Sequence, residues 1–297
     1  MDEAICRVPD KAAVAAPSLP PGLPKAARLP VNHCNLPADI LGGLTFQRAP
    51  APLVIDGVAS LHRPLFNLLN DIEDVQERAV RFGGYMASHF SLEQPEDAGF
   101  TANQPKPRVK ASYLRVIRGW AFDPDGREAA VLKGWVESRF GLLPRHHRTS
   151  LREPGSEAWQ RYVEMRVAGL YGTNALEVQL DLLYAFSQYE LARQFPERTH
   201  IHLYRGVNRL SDHEIIADDG IRSGADANSG VKIVLLNNVS SFSLSSERAG
   251  EFGDQILSVS VPVPKLAFFS QLLPGMLKAE DEYVVIGGLY RVQLVTL

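Results

Sequence analysis

Apolar residues between positions 60 and 195 recur with the period of an α-helix. Steps of three and four place one apolar stripe on a helix that begins near Pro64, because the fixed φ of proline suits a first turn. The residues of this stripe are Leu65, Leu68, Ile72, Val75, Ala79, Phe82 and Met86. The pattern predicts one helix whose apolar face packs on a core.

Further helices follow from start and stop signals. One is expected after the turn-like residues 123–126 and up to Phe140, with Gly141 at its C-terminal end. Two more are expected over residues 156–169 and 174–194. The first of these begins at a serine and the second at an asparagine, both of which are good N-cap residues.

After position 199 the period changes to two, as in a half-buried strand. Residues 200–204 alternate polar and apolar side chains. Other segments rich in β-branched residues are bounded by Gly, Asn or Pro, and these are residues 231–236, 255–263, 283–286 and 290–297. Helices followed by strands, without βαβ alternation, favour the α+β fold class.

Prolines are concentrated at the start of the chain, since nine of the 20 lie in the first 52 residues. Proline fixes φ and removes a backbone donor, so this stretch is not a regular helix or a central strand. We interpret residues 1–52 as a partly flexible, proline-rich leader in which 32–46 are apolar enough to pack. Beyond it, we expect a helical region, 53–198, and a strand-rich region, 199–297, that form one compact body, 53–297.

Composition and charge exclude several classes of protein. The 297 residues carry 31 Lys and Arg against 34 Asp and Glu, a formal net charge of −3, so nucleic acid is not indicated as a partner. No apolar run approaches the roughly 18 residues of a membrane span. Two cysteines do not make a disulfide scaffold, and the acidic start lacks a secretory signal. These features predict a cytoplasmic protein without stable membrane insertion.

Motifs for metals and nucleotides are weak or absent. The sequence contains no P-loop, no dinucleotide-binding glycine motif and no zinc-protease motif. Asp123-x-Asp125-Gly126 resembles part of a calcium loop, but its glycine comes too early, so a helix-capping turn is favoured. His200 and His202 share a strand face, yet no Cys or carboxylate has matching spacing, and no metal site is predicted.

The first segment with candidate chemistry is Leu203-Tyr204-Arg205-Gly206, where a guanidinium lies at the end of a strand beside a glycine. Arginine suits phosphate oxygens, and glycine lets a ligand approach the backbone closely. The alternative is an edge-strand arginine that pairs with a carboxylate.

The second segment is the serine-rich stretch 240–246, which follows a predicted strand. Ser243 and Ser245 are predicted to share one strand face, with Phe242 and Leu244 on the other. Serines on an inner face need hydrogen-bond partners, so a ligand there would explain them. The alternative is a serine-rich loop that caps the following helix.

The third segment contains Glu280 and Glu282, which precede an apolar strand. Their spacing points both side chains the same way, with Cα atoms about 6–7 Å apart. Like charges so close repel each other, which indicates a solvated strand entrance or a functional pair. A glycosidase pair is a competing interpretation, disfavoured because such carboxylates flank the sugar bond from opposite sides.

In order and spacing, Arg205, Ser243 and Glu282 resemble the Arg–Ser–Glu class of mono-ADP-ribosyltransferases. The stretches YLRVIRGW at 113–120, KGWVESRFGLLP at 133–144 and HLYRGVN at 202–208 are similar to one family of that class. This is the NAD–dinitrogenase-reductase ADP-ribosyltransferase family of nitrogen-fixing bacteria. The middle residue of the family's Ser-Thr-Ser pattern is Leu244 here, and it is expected to point away from the cleft.

The resemblance implies a helical N-terminal part packed on a β-sandwich that opens into an NAD cleft, with NAD as co-substrate. It assigns Glu282 and Ser243 to the nicotinamide ribose, with Ser243 also holding Glu282 in its rotamer. It assigns Arg205 to the pyrophosphate and Glu280 to the arginine that accepts ADP-ribose. The other implied NAD contacts are Tyr204, the Gly206 backbone, Ser245 and Phe242, although core packing explains Phe242 equally well.

The activity implied by the resemblance is transfer of ADP-ribose to an arginine of dinitrogenase reductase, which inactivates nitrogenase in response to nitrogen or energy status. The implied partners are this target and a PII-type signal-transduction protein that activates the enzyme. Two alternatives stay open: transfer to an arginine of another protein, and an interaction module that does not act on NAD. Release of nicotinamide from NAD distinguishes an enzyme from such a module.

Overall fold

The computed structural model describes residues 21–92, 111–210, 213–218, 230–273 and 282–295. Within these residues the helices come first in the chain and the main sheet comes last, which confirms the α+β class. No helix in the described part of the chain is long and apolar enough to cross a lipid bilayer.

Short helices dominate residues 21–61. They are α1 (Ala38–Leu41), α2 (Leu44–Arg48) and α3 (Val58–Leu61). Leu23 and Ala27 are buried in the same hydrophobic cluster as the rest of the molecule. The packing of the leader on the main body therefore begins earlier than the predicted apolar stretch at 32–46.

The single helix predicted from the stripe between Leu65 and Met86 is wrong, because two helices occupy this segment. They are α4 (Arg63–Asn70) and α5 (Val75–His89). Asp74 starts α5 by accepting a hydrogen bond from the backbone N–H of Glu77 at 2.7 Å. A local capping interaction thus interrupts a periodicity that continues across the break.

The other predicted helices are confirmed. They are α7 (Arg127–Phe140), α8 (Glu157–Gly169) and α9 (Ala175–Gln194), preceded by α6 (Tyr113–Phe122). Gly141 ends α7 with φ 69°, a left-handed conformation that glycine adopts without strain. Ser156 caps α8, but Thr173 rather than Asn174 accepts from the first N–H of α9, at 3.1 Å.

The strands of the described residues form two antiparallel sheets. A small sheet pairs β1 (His146–His147) with β2 (Thr149–Ser150). The main sheet has the order β4-β5-β3-β6-β8-β7 and contains β3 (His200–Val207), β4 (Glu214–Asp218), β5 (Val231–Ser243), β6 (Gln255–Pro262), β7 (Leu266–Phe269) and β8 (Glu282–Val295). The predicted strand 283–286 and residues 290–295 of the predicted strand 290–297 are therefore parts of one long strand.

The main sheet curls until β5 and β8 also pair with each other. Strand β8 pairs with β5 along most of its length and with β6 at its C-terminal end. Strand β5 pairs in turn with β3 at Tyr204↔Ser243, and with the first residue of β8 at Ser243↔Glu282. This ring of β5, β3, β6 and β8 brings together side chains that are far apart in sequence.

Candidate active site

Strand β3 carries Arg205 between the buried residues Leu203 and Val207, so its side chain points to the inner side of the curled sheet. The guanidinium Nη1 donates to the backbone carbonyl of Ser241 at 2.7 Å. Its Nε is buried and has no hydrogen-bond partner among the described residues. Burial lowers the pKa of Arg205, and the negative charge of Glu282 opposes this shift.

The carboxylate of Glu282 is held by Ser241. The Ser241 hydroxyl donates to Glu282 Oε1 at 2.6 Å, and the Trp120 indole Nε1 donates to the same hydroxyl oxygen at 3.2 Å. Ser241 lies two residues before Ser243 on β5, on the same strand face. The hydrogen bond to Glu282 that we predicted for Ser243 is therefore made by Ser241.

Ser243 and Ser245 do not share a strand face, because β5 ends at Ser243. The Ser243 hydroxyl accepts from the backbone N–H of Ser245 at 3.1 Å. Ser245 is the N-cap of the short helix α10 (Ser246–Gly250), where its hydroxyl accepts from the backbone N–H of Arg248 at 3.3 Å. The helix-capping alternative thus describes Ser245, while Ser243 stays beside Glu282 in the register of β5 and β8.

Gly206 is required by close packing of the backbone. A Cβ atom at this position would lie 1.9 Å from the carbonyl oxygen of Ala249, which belongs to α10. Helix α10 therefore fills the space beside the Cα atom of Gly206, where we expected a ligand to approach. A ligand would contact only the peptide groups of Gly206.

The remaining predicted site residues lie around this junction. Tyr204 is half-buried and its ring contacts His202 edge to face, with 5.1 Å between the ring centroids. Phe242 is buried in the main hydrophobic cluster, which fits a packing role, and Leu244 is exposed. Glu280 lies outside the described residues.

The helical region contributes directly to this site. Trp120, on α6, is 3% exposed and reaches Ser241 across the interface between helices and sheet. Asn238 of β5 donates to the backbone carbonyls of Lys133 and Leu142 at 2.8 and 3.0 Å, which anchors the strand to α7 and to the residues after it. These contacts fix β5 just before the residues that hold Glu282.

Sequence reasoning missed Ser241 and Trp120. Period-two alternation already places Ser241 on the face of Ser243, so the signal for Ser241 was present in the serine-rich stretch. Trp120 gave no comparable signal, because its indole reaches a strand that is 121 residues away in the sequence.

The histidines that we considered as metal ligands have protein partners. His200 Nε2 bonds to the carbonyl oxygen of Gln47 at 2.6 Å, and His202 Nε2 bonds to the hydroxyl of Ser258 at 2.9 Å. In the described ranges, no group of three or more His, Cys, Asp or Glu side chains is arranged to hold a metal ion.

The arrangement suits a substrate with a phosphate group and a sugar. A buried guanidinium nitrogen without a partner is a donor for phosphate oxygens. The carboxylate of Glu282, oriented through Ser241, is an acceptor for sugar hydroxyls. The residues present therefore fit NAD, which contains both a pyrophosphate and two riboses.

Comparison with known proteins identifies the family. The family model for dinitrogenase reductase ADP-ribosyltransferase matches residues 31–294. The chain belongs to this family. One relative is the NAD(+)–dinitrogen-reductase ADP-D-ribosyltransferase of Rhodospirillum rubrum, 40% identical over 266 residues that cover 88% of this chain and 93% of the relative. No solved structure gives a significant match.

The region shared with the dinitrogenase reductase ADP-ribosyltransferase family contains both halves of the site. Trp120 from the helical region and Arg205, Ser241 and Glu282 from the strand-rich region all lie between residues 31 and 294. Membership of this family confirms the resemblance that the sequence motifs indicated.

Proposed function

We propose that this protein transfers ADP-ribose from NAD to an arginine side chain of dinitrogenase reductase and releases nicotinamide. The observation that carries the proposal is the junction of β3, β5 and β8, where Arg205 binds the backbone of Ser241 and Ser241 holds Glu282. Membership of the transferase family and the name of the relative from Rhodospirillum rubrum support the choice of substrate and target.

Arg205 is proposed to bind the pyrophosphate of NAD. Its Nη1 already bonds to a backbone carbonyl, so the guanidinium plane is fixed, and the unpartnered Nε is available to phosphate oxygen. Placing the phosphate charge beside this buried cation would also compensate for the cost of its burial. Ser243 and the peptide groups of Gly206 are assigned to the nicotinamide and ribose contacts.

Glu282 is proposed to stabilise the positive charge that develops on the nicotinamide ribose. NAD supplies the ADP-ribosyl group and a cationic nicotinamide, which leaves as a neutral molecule, so no general acid is required. A preorganised carboxylate on a ribose hydroxyl interacts more strongly as the sugar becomes positive, and this lowers the barrier to bond cleavage. Ser241 keeps Glu282 Oε1 in place while this occurs.

The acceptor arginine raises a separate requirement, because a guanidinium is cationic at neutral pH. As its nitrogen forms the new bond to the ribose carbon and the bond to nicotinamide breaks, one proton must leave that nitrogen. We assign this proton to Glu280, whose carboxylate would also pair with the acceptor and orient it. The resemblance of the Glu-x-Glu motif to that of the transferase class supports this assignment of Glu280.

The partners follow from the same proposal. Dinitrogenase reductase is the protein substrate, its modification inactivates nitrogenase, and a PII-type signal-transduction protein is proposed to activate the transfer. We also propose that the enzyme acts in the cytoplasm, together with this target.

The test combines purified protein, NAD labelled in its adenylate half, and dinitrogenase reductase, with and without the PII-type protein. Label on an arginine of the target, together with an equal amount of nicotinamide, is the expected result. Nicotinamide release without label on dinitrogenase reductase would contradict the proposed target. Label on an arginine of another protein would identify that protein as the target instead. The absence of nicotinamide release in every tube would contradict the enzyme itself, as expected for an interaction module.

A further inference from the structure

We propose that Trp120 is a positioning residue for Glu282 and that it acts through Ser241. This inference rests on the proposed function, since Glu282 matters here as the carboxylate that contacts the NAD ribose. Trp120 lies on α6 in the helical region, whereas Glu282 begins β8 in the sheet. The side chain that joins them is Ser241.

The direction of each hydrogen bond follows from the chemistry of the three groups. An indole N–H is only a donor, and an ionised carboxylate is only an acceptor. The Ser241 hydroxyl therefore accepts a hydrogen bond from Trp120 Nε1 at 3.2 Å and donates its single proton to Glu282 Oε1 at 2.6 Å. Trp120 thus prevents the hydroxyl from rotating its proton away, which leaves Glu282 Oε2 for the ribose.

A buried cation lies near the indole ring. The ammonium of Lys133 lies 6.0 Å from the centre of the Trp120 ring. Lys133 is itself fixed, because Nζ donates to Asp125 Oδ1 at 3.0 Å and contacts His147 Nδ1 at 3.1 Å. Burial and the nearby Lys133 lower the pKa of His147 to about 4, so this imidazole is neutral and accepts from the ammonium.

A second buried tryptophan makes a different contact and serves as a control. Trp135, on α7, is as deeply buried as Trp120, and its Nε1 donates to Asp181 at 2.7 Å. Asp181 belongs to α9, so that bond stays inside the helical region. The bond of Trp120 instead leaves the helical region and ends on the group that orients Glu282.

The comparison of Trp120→Phe with Trp135→Phe tests the inference. Each change removes one indole N–H and keeps an aromatic ring, and thermal unfolding reports the effect on stability. We expect Trp120→Phe to lower kcat for nicotinamide release about tenfold, with little change in KM for NAD. Trp135→Phe is expected to leave kcat close to that of the wild type. Equal kcat values for Trp120→Phe and the wild type would overturn the proposal.

A double-mutant cycle shows whether Trp120 acts through Ser241. In a Ser241→Ala background, Trp120→Phe should lower kcat no further, because the hydroxyl that it orients is absent. An unchanged tenfold loss in that background would overturn the proposal and indicate a general packing effect.

If Trp120→Phe does not fold, substitutions of Ser241 provide a second test of the inference. Ser241→Ala should lower kcat at unchanged KM, and Ser241→Thr, which keeps the hydroxyl, should lower it less. Ser241→Ala with the kcat of the wild type would overturn the inference.

The outcomes separate this inference from the proposed function. Nicotinamide release is measured without a protein acceptor, so the role of Trp120 is decided even if dinitrogenase reductase receives no label. A wild-type protein that released no nicotinamide would overturn both.

Discussion

The helical and strand-rich regions bury charged groups in different ways. In the helical region, Arg78 donates from Nε and Nη2 to the two carboxylate oxygens of Glu190 at 2.5 and 2.7 Å. The ammonium nitrogen of Lys133 lies 3.0 Å from Asp125 Oδ1 and 2.9 and 3.1 Å from two backbone carbonyl oxygens. Both buried cations therefore face a carboxylate.

In the strand-rich region the buried cations are less well compensated. Arg205 bonds through Nη1 to a backbone carbonyl, while its Nε has no partner within the described ranges. Lys265 Nζ donates to the carbonyl of Gly287 and lies 5.8 and 5.3 Å from the ring centres of Phe46 and Tyr290. Burial lowers the pKa of Lys265 to about 7.

This difference distinguishes buried charges that face a carboxylate from buried charges that are incompletely paired. Removing an ion from water costs several kcal/mol unless a partner is close, so a paired buried charge is compatible with a purely structural role. An incompletely paired charge stays costly until a ligand or a change of protonation compensates for it. Arg205 fits compensation by a ligand, and Lys265 fits compensation by a change of protonation.

The largest effect is expected at Glu282. Glu282→Gln keeps the shape of the side chain and removes its charge, so we expect nicotinamide release to fall about 10³-fold. Because the side chain is only half-buried, the free energy of unfolding should change little. Nicotinamide release at the wild-type rate, measured at saturating NAD, would contradict the assignment of Glu282.

Glu190→Gln is the matched change in the helical region, where a carboxylate pairs with Arg78. It leaves the buried guanidinium without its charge partner, and we expect a loss of about 3 kcal/mol in the free energy of unfolding. Urea denaturation measures this loss. The kcat of the folded variant should stay close to that of the wild type, and a large fall in kcat at unchanged stability would remove the distinction between the two regions.

Glu280→Gln sharpens the comparison inside the proposed catalytic site. We expect transfer to arginine to fall about 10²-fold, because the target arginine loses the carboxylate that takes its proton. Hydrolysis of NAD should continue, since water does not need the same activation. Labelled target and free ADP-ribose are measured in the same reaction. Persistent transfer with lost hydrolysis would exchange the roles of Glu280 and Glu282.

The smallest effect concerns Lys265 and the pH dependence of stability. The folded chain releases the proton of Lys265 near pH 7, whereas the unfolded chain keeps it up to about pH 10.5. The unfolded state therefore binds more protons across this window, and the free energy of unfolding rises with pH. Between pH 7 and 8.5 this contribution amounts to about 1.5 kcal/mol.

Lys265→Met removes the titrating group and keeps a side chain of similar length. Its free energy of unfolding should lack this contribution, so the difference between wild type and variant should change by about 1.5 kcal/mol over the same range. Parallel pH profiles for the two proteins would show that Lys265 does not titrate in this window.

Much of the helical region was predictable because its signals are local. The C-terminal end of α7 follows from a glycine and the N-terminal end of α8 follows from a serine. The effect of each residue extends over one helical turn. The single helix predicted across Leu65 to Met86 was wrong because a local signal between the two helices was overlooked. Asp74 starts a new helix, and Arg78 Nη1 donates to the carbonyls of Ile72 and Glu73 at 2.9 and 2.7 Å in the segment before it.

The strand-rich region was less predictable because its pairing is long-range. Alternation placed a strand at residues 200–204 and β-branched residues placed one at 231–236. Neither signal showed that β5 continues to Ser243 or that two predicted segments form β8. Both extensions exist because β5 and β8 pair with each other over most of their length. A strand continues as long as its partner does, and the partner is not visible in the local pattern.

The sequence by itself determined the α+β class and the family, and it indicated Arg205 and Glu282 as candidate site residues. The class follows from the local periods of helices and strands, whereas the two candidates follow from motifs that resemble those of the family. Only the tertiary structure decided which serine holds Glu282 and that Trp120 supports it. The reason is physical: alternation puts Ser241 and Ser243 on one face, but the register of β5 against β8 and the packing of α6 determine which hydroxyl meets the carboxylate.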